Sequence, residues 1–346
     1  MKAIILTFSK VNNFGANLQC YALSKVVERL GYDVEILDYQ LSGSKSLNPI
    51  FRVSQFFQRR LFDKFRSRYF PPFTKKYSTH EELVSQCPQA DIYIVGSDQV
   101  WNPQLTKEVG EETYFFDFLP SNAVKVAYAA SFGIDKASYF EAYPNIPKYL
   151  SSFKSIGVRE KSGQDICKKI AGLDVKLVVD PTILLGKFNQ FHTEEKIKGV
   201  CLFNFQNTDY FYSSASYVAE VLKTSKFILA SYRRRKGFKN KPVVSVESWI
   251  TNIGKSEFLL TDSFHATVLA LLNHQEFVTF VMPNKSDRVF TLLNELGLTD
   301  RIIQSASDFD QRISSILNSR IDYDSIDKKL EKLRNESMNF LVNALR

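Results

Sequence analysis

Apolar positions along the chain fall into two alternating patterns. Residues 3–8, 33–37, 90–95, 124–130, 155–159 and 177–179 are short apolar runs bounded by turn-forming residues, which predicts strands. Between the first two, Leu18, Ala22, Val26 and Leu30 recur at helical spacing and Gly31 supplies a stop. Another helix is expected from about Ser162. A second set begins at Gly199, with strands at 199–203, 226–230, 258–261 and 277–281 and helices at 209–223, 246–253 and 264–273. Strands alternating with helices predict parallel sheets covered on both faces. The tail, 325–345, is a charged amphipathic helix. We therefore expect an α/β chain of two doubly wound domains facing each other across a cleft: 1–185, a polar linker 186–198, 199–320, and a C-terminal helix 321–346.

Ligands of such sheets gather at the carboxyl ends of strands, so the polar residues there are candidates. After the first strand, Gly15 lets the backbone approach a ligand, and Asn13, Asn17 and Gln19 offer neutral donors and acceptors. A single glycine falls short of a dinucleotide fingerprint. The third run leads into Gly96-Ser97-Asp98-Gln99-Val100-Trp101-Asn102. The most informative stretch is 258–273, where an apolar strand stops at three N-cap-type residues, Thr261-Asp262-Ser263, and a helix starts with His265 in its first turn. An imidazole beside the amides and positive dipole end of a helix start suits an anion, phosphate above all. The alternative is a capped core helix whose histidine points inward.

Composition narrows the classes. The chain has 346 residues, 44% of them hydrophobic and 14% aromatic, enough for two cores. No apolar run approaches the roughly 20 residues that cross a bilayer, and the first residues read as a strand rather than a signal peptide, so a cytoplasmic location is expected. Cys20, Cys87, Cys167 and Cys201 are scattered and the four histidines lack metal spacing, so no disulfide, metal or cofactor is expected. A net charge of +8 favours anionic partners, but no nucleic-acid motif accompanies it. Residues 51–76 hold eight Lys/Arg, dense aromatics and one acid, Asp63. Segment 51–70 is either a basic helix on an anionic membrane face, which would hold the protein at the inner side of that membrane, or a helix packed on its own domain with a solvated basic face.

Together, several strand ends resemble the polysaccharide pyruvyl transferase family. The matching pieces are Asn13-Phe-Gly-Ala-Asn-Leu-Gln19, Ile94-Val-Gly-Ser-Asp-Gln-Val-Trp-Asn102, Ala127-Tyr-Ala-Ala-Ser-Phe-Gly133, Val158-Arg-Glu-Lys-Ser-Gly163, Val179-Asp-Pro-Thr182 and Thr261-Asp-Ser-Phe-His265. The resemblance implies two Rossmann-like domains of GT-B type. It also implies transfer of a carboxyethylidene group from phosphoenolpyruvate to a sugar of a surface polysaccharide or its lipid-linked precursor. The residue roles follow from it. His265 is the acid/base or phosphate-binding group, and Arg159 binds the donor with Ser263 and Thr261, or instead forms an interdomain salt bridge with a nearby acid. Ser97, Asp98, Gln99, Asn13, Asn17 and Gln19 hold acceptor hydroxyls, Asp98 as a base or merely as a turn cap. Trp101 is a stacking face for sugar or a core residue. Many family members carry Arg two residues before the motif histidine, where this chain has Ser263; Arg233 and Arg234, in a basic run that reads equally as a solvated loop, are candidates for the missing charge. Two other functions fit the same architecture: a glycosyltransferase using a nucleotide sugar, and a non-catalytic subunit of a polysaccharide assembly complex.

Overall fold

The computed structural model describes residues 1–39, 49–107, 110, 112–191, 198–206, 208–231, 235–281 and 287–346. They fall into two compact units, the first built from 1–44, 69–185 and 330–346, the second from 45–68 and 186–329.

The first unit holds seven strands: β1 (Lys2–Leu6), β2 (Asp33–Tyr39), β3 (Phe73–Tyr77), β4 (Ile92–Val95), β5 (Lys125–Ala130), β6 (Ser155–Val158) and β7 (Lys176–Leu177). They lie in the order β3-β2-β1-β4-β5-β6-β7, and every pairing is parallel. The second unit holds β8 (Val200–Phe203), β9 (Lys226–Leu229), β10 (Lys239–Lys241), β11 (Phe258–Thr261), β12 (Phe277–Phe280) and β13 (Ile302–Ile303). Their order, β10-β9-β8-β11-β12-β13, repeats that of the first sheet, again all parallel. Both sheets are doubly wound, and in each the strand order reverses beside the first strand, at β1/β4 and at β8/β11. Ligands of this architecture bind outside the strand ends at that reversal.

The central strands read as unbroken apolar runs because a parallel sheet is covered on both faces. Ala3, Ile4, Ile5 and Leu6 of β1 are all fully buried, as are Leu259 and Leu260 of β11. Each fully buried Ile or Leu contributes about 1.5–3 kcal/mol, which fixes these strands as the sheet centres. Beyond the expected elements the structure adds the edge strands β3, β10 and β13, and helices Asp287–Leu296 and Ala306–Asn318.

One segment joins a different unit from the one expected for it, and part of the C-terminal helix, assigned from the sequence to neither domain, joins the first. Residues 45–68 cluster with the second unit. Helix Pro49–Tyr69 packs there, with the Gln58 amide exchanging hydrogen bonds with the backbone of Val244 (2.7 and 3.0 Å) and Phe65 meeting Phe191 edge-on at 5.5 Å. The end of helix Tyr323–Leu345 belongs to the first unit. There Arg334 Nε donates to Ile183 O (2.8 Å) and Ser337 Oγ accepts from Val179 N (2.9 Å). Of the expected linker, 192–197 lie outside the described residues.

Candidate active site

At the β1/β4 reversal the polar residues mostly hold one another. Thr7 Oγ1 donates to Ser97 O (2.8 Å) and accepts from Gln19 Nε2 (2.9 Å), tying β1, β4 and helix Phe14–Arg29 together. Gln19 and Asn17 are fully buried; Asn17 Nδ2 donates to Val11 O and Asn13 O at 2.9 and 2.7 Å. Asn13 caps the helix by accepting from Ala16 N (3.0 Å). The expectation that Asn17 and Gln19 present amides to a sugar is therefore corrected: in the helix's first turns both side chains turn inward. Trp101 takes the second of its two readings, a core residue. It is fully buried, stacks on Phe115 (5.1 Å, 6°) and donates Nε1–H to Tyr114 O (3.0 Å), so neither face is open to a sugar.

Arg159 sits at the centre of a buried charge cluster. Its side chain is 1% exposed; Nη1 meets Asp180 at 2.8 Å and Ser97 Oγ at 3.1 Å, Nη2 meets Asp98 at 3.3 Å, and Nε lies 3.8 Å from Glu160. Asp180 also accepts from Ser97 Oγ and from the amide and hydroxyl of Thr182, while Glu160 accepts from Phe132 N. Burial alone would pull the guanidinium pKa down; Asp180, Asp98 and Glu160 more than offset it and raise it. Such a guanidinium organises three loops; of the two readings of Arg159 the geometry shows ion pairing, made with acids of its own unit. Ser97 is fully buried inside the same cluster.

Asp98 and Gln99 remain partly accessible. Asp98 has a left-handed backbone (φ 84°), held by Arg159 and by the Ser131 amide donating to Asp98 O (3.0 Å). For a non-glycine residue that conformation is uncommon and collects at functional positions. Gln99 lies over Gly133, whose φ is +61° and where an added Cβ would come within 2.1 Å of Gln99 Oε1; only glycine leaves room for this side chain.

At the β8/β11 reversal the three N-cap-type residues take three different tasks. Thr261, the last residue of β11, donates Oγ1–H to Phe203 O (2.6 Å) and accepts from Ser263 N (3.0 Å). Asp262 reaches across to the end of β8 and accepts from the amides of Phe205 and Gln206 at 2.8–3.1 Å. Burial raises its pKa, partly offset by those amides. Only Ser263 caps the helix Phe264–Leu272, its Oγ accepting from Ala266 N. The strand end is thus locked before the histidine. His265 is 7% exposed, and its ring meets Phe264 edge-on at 5.3 Å.

Asp262, read from the sequence only as a cap, closes the reversal. Two residues that the sequence reading did not single out border this turn. Phe205, just after β8, is 61% exposed. Arg288, on helix Asp287–Leu296, holds its guanidinium 5.7 Å from the Phe264 ring centroid and so brings a cation to the turn that carries Ser263 and His265. Arg233 and Arg234 lie outside the described residues. Their neighbour Arg235 pairs with Asp209 (2.7 Å) and covers the Tyr212 ring (4.2 Å).

Comparison with solved structures shows the same architecture at low sequence identity. UDP-GlcNAc 2-epimerase from Methanocaldococcus jannaschii superposes with a TM-score of 0.57 at 12% identity, covering 96% of this chain and 99% of that one. The Neisseria meningitidis UDP-GlcNAc 2-epimerase gives 0.52 at 10%, covering 100% and 99%. Arabidopsis thaliana UGT89C1, complexed with UDP, gives 0.55 at 10%, covering 99% of each chain. These are GT-B glycosyltransferase and epimerase folds, and the likeness establishes the fold alone. No curated protein matches the chain in sequence. Residues 13–282, which contain β4 and the whole β8/β11 reversal, match the model of the polysaccharide pyruvyl transferase family, and the chain belongs to that transferase family.

Proposed function

We propose that this protein transfers the carboxyethylidene group of phosphoenolpyruvate to two hydroxyls of a sugar in a surface polysaccharide or its lipid-linked precursor, releasing phosphate. The observation that carries the reading is the turn Thr261-Asp262-Ser263-Phe264-His265 in a chain of this family. It stands at a strand-order reversal, is immobilised through Asp262, and has a histidine in the first helical turn with the Arg288 guanidinium over the intervening Phe264.

Ketal formation adds one proton to the methylene carbon of the donor and takes one from each of two hydroxyls. The second of these protons leaves with the phosphate. Positive charge develops at the central carbon when the methylene is protonated and again when the bond to phosphate breaks, and a hydroxyl adds to it each time. His265 is suited to give the proton to the methylene carbon and then to take one from a hydroxyl, because imidazole changes charge near neutral pH. Arg288, the Ser263 hydroxyl and the helix N-terminus are assigned to the donor's carboxylate and phosphate. Arg288 thereby replaces the guanidinium that many family members carry at the position of Ser263. In the first unit, Asp98 and Gln99 are assigned to acceptor hydroxyls; the left-handed backbone of Asp98 supports a functional role there.

A second reading, glycosyl transfer from a nucleotide sugar, is favoured by one observation: neighbours of the same fold were solved with UDP-GlcNAc or UDP. A thermal shift series separates the two. A ligand that binds only the folded protein raises its melting temperature. Phosphoenolpyruvate should do so and UDP-sugars should not. The opposite ranking would replace the first reading with the second.

A further inference from the structure

Helix Pro49–Tyr69 has two faces, and the second unit accounts for only one of them. Gln58, Phe62 and Phe65 are buried against that unit. On the opposite side Val53, Phe56, Phe57, Arg60 and Lys64 recur every three to four residues and so share one stripe. Val53 is 59% exposed, Phe56 54% and Phe57 53%. Among the described residues no other helix exposes three large apolar side chains within five positions. The aromatic rings touch at 5.7 Å, and the Arg60 guanidinium lies 5.6 Å from the Phe56 ring. The segment's one acid, Asp63, is taken up by Arg66 at 2.7 Å; among the described residues no carboxylate lies against Arg60 or Lys64.

We propose that this stripe docks the protein on an anionic lipid bilayer, with Phe56, Phe57 and Val53 entering the headgroup boundary and Arg60 and Lys64 reaching lipid phosphates. An interfacial helix has this composition: aromatic and aliphatic side chains that insert, and cations on long stems that stay at the phosphate level. A solvated basic face accounts for the cations but leaves two adjacent phenylalanines in water. The net charge of +8 attracts the chain to the same surface. This inference is independent of the reaction proposed above, because it invokes neither donor nor acceptor.

The experiment is co-sedimentation of the full chain with vesicles of phosphatidylcholine alone or of equal parts phosphatidylcholine and phosphatidylglycerol, at low and high salt. The wild type should sediment with the anionic vesicles at low salt and be released by high salt. Arg60→Gln with Lys64→Gln should weaken binding roughly 25-fold, at about fivefold for each cation removed. Phe56→Ser with Phe57→Ser should weaken it at least as much while the net charge is unchanged. All these side chains are exposed, so both variants should keep the wild-type melting temperature. A wild type left in the supernatant, equal binding to uncharged vesicles, or sedimentation without vesicles through self-association would each overturn the proposal. So would either double variant binding like the wild type.

Discussion

Replacing Arg159 by Met tests whether the buried guanidinium is a scaffold or a ligand contact. The variant keeps the length of the side chain and removes its charge, taking from Asp180 (0% exposed), Glu160 (2%) and Asp98 (15%) the guanidinium they share. Breaking a buried ion pair by removing one partner costs about 3–5 kcal/mol, a large share of the roughly 5–15 kcal/mol that holds a domain folded. At about 2–4 °C per kcal/mol for a unit of this size, the melting temperature should fall by roughly 6–20 °C. The assay is urea unfolding read from tryptophan fluorescence. The chain has two tryptophans; Trp101 lies in the first unit and Trp249 in the second, so a Trp249→Phe background reports the first unit alone. Arg159→Lys keeps the charge but loses the forked geometry, and should fall between wild type and Met. Adding Asp180→Asn to Arg159→Met should restore part of the loss, since it removes one stranded charge. If Arg159→Met unfolds within about 1 kcal/mol of the wild type and instead loses phosphoenolpyruvate binding, the guanidinium faces the donor and the scaffold argument fails.

Three further outcomes are expected. Ser263→Ala removes a helix cap whose bond is long at 3.4 Å, so the second unit, followed through Trp249, should lose about 0.5–1 kcal/mol; a loss above about 3 kcal/mol would show that Ser263 does more than cap. Arg288→Met should raise the KM for phosphoenolpyruvate roughly tenfold to a hundredfold, the worth of a hydrogen bond to a charged group, with an unchanged melt; an unchanged KM would remove Arg288 from the donor site. Asp262 has a folded-state pKa raised above its ordinary 3.8, so ionising it costs stability as pH rises through that window. The stability of Asp262→Asn relative to wild type should therefore climb from acid pH upward and then level off. A flat or falling difference curve would contradict the burial argument.

How much was legible depended on what each residue does. β1, β4, β5 and β11 announced themselves because central parallel strands bury both faces and so read as continuous apolar runs. The edge strands did not. In β3, Lys75 and Lys76 face solvent, and β10 is Lys-Asn-Lys, which reads as a basic loop until it pairs with β9. β13 is two residues long, and without a visible strand the helices on either side of it had nothing to alternate with. At the site, sequence placed Ser97 and Trp101 after β4, and Asn17 and Gln19 at the start of the helix that follows β1. It could not tell that their side chains turn inward, because direction is set by packing partners such as Thr7, Asp180 and Tyr114 that lie far away in sequence. Asp262 was read as one of three caps, since an acid before a helix gives that signal; its bonds to the end of β8, 56 and 57 residues away, have no local signature. Arg288 carried no signal at all, for nothing in its neighbourhood marks it as the residue that folds back over Phe264. Segment 51–70 was read as either a packed helix or a membrane-facing one; the fold confirms packing on one face and leaves the other exposed.

The most direct measurement follows phosphoenolpyruvate with a panel of lipid-linked and nitrophenyl sugars, reading phosphate release together with the mass of the sugar product. Wild type should release phosphate only when a suitable acceptor is present, with one product that gains the mass of pyruvate less water. His265→Ala should lower that rate about 10²–10⁴-fold, the contribution of a positioned acid–base group. Ketal formation at the wild-type rate in His265→Ala, or transfer from a nucleotide sugar while phosphoenolpyruvate is left intact, would contradict the account.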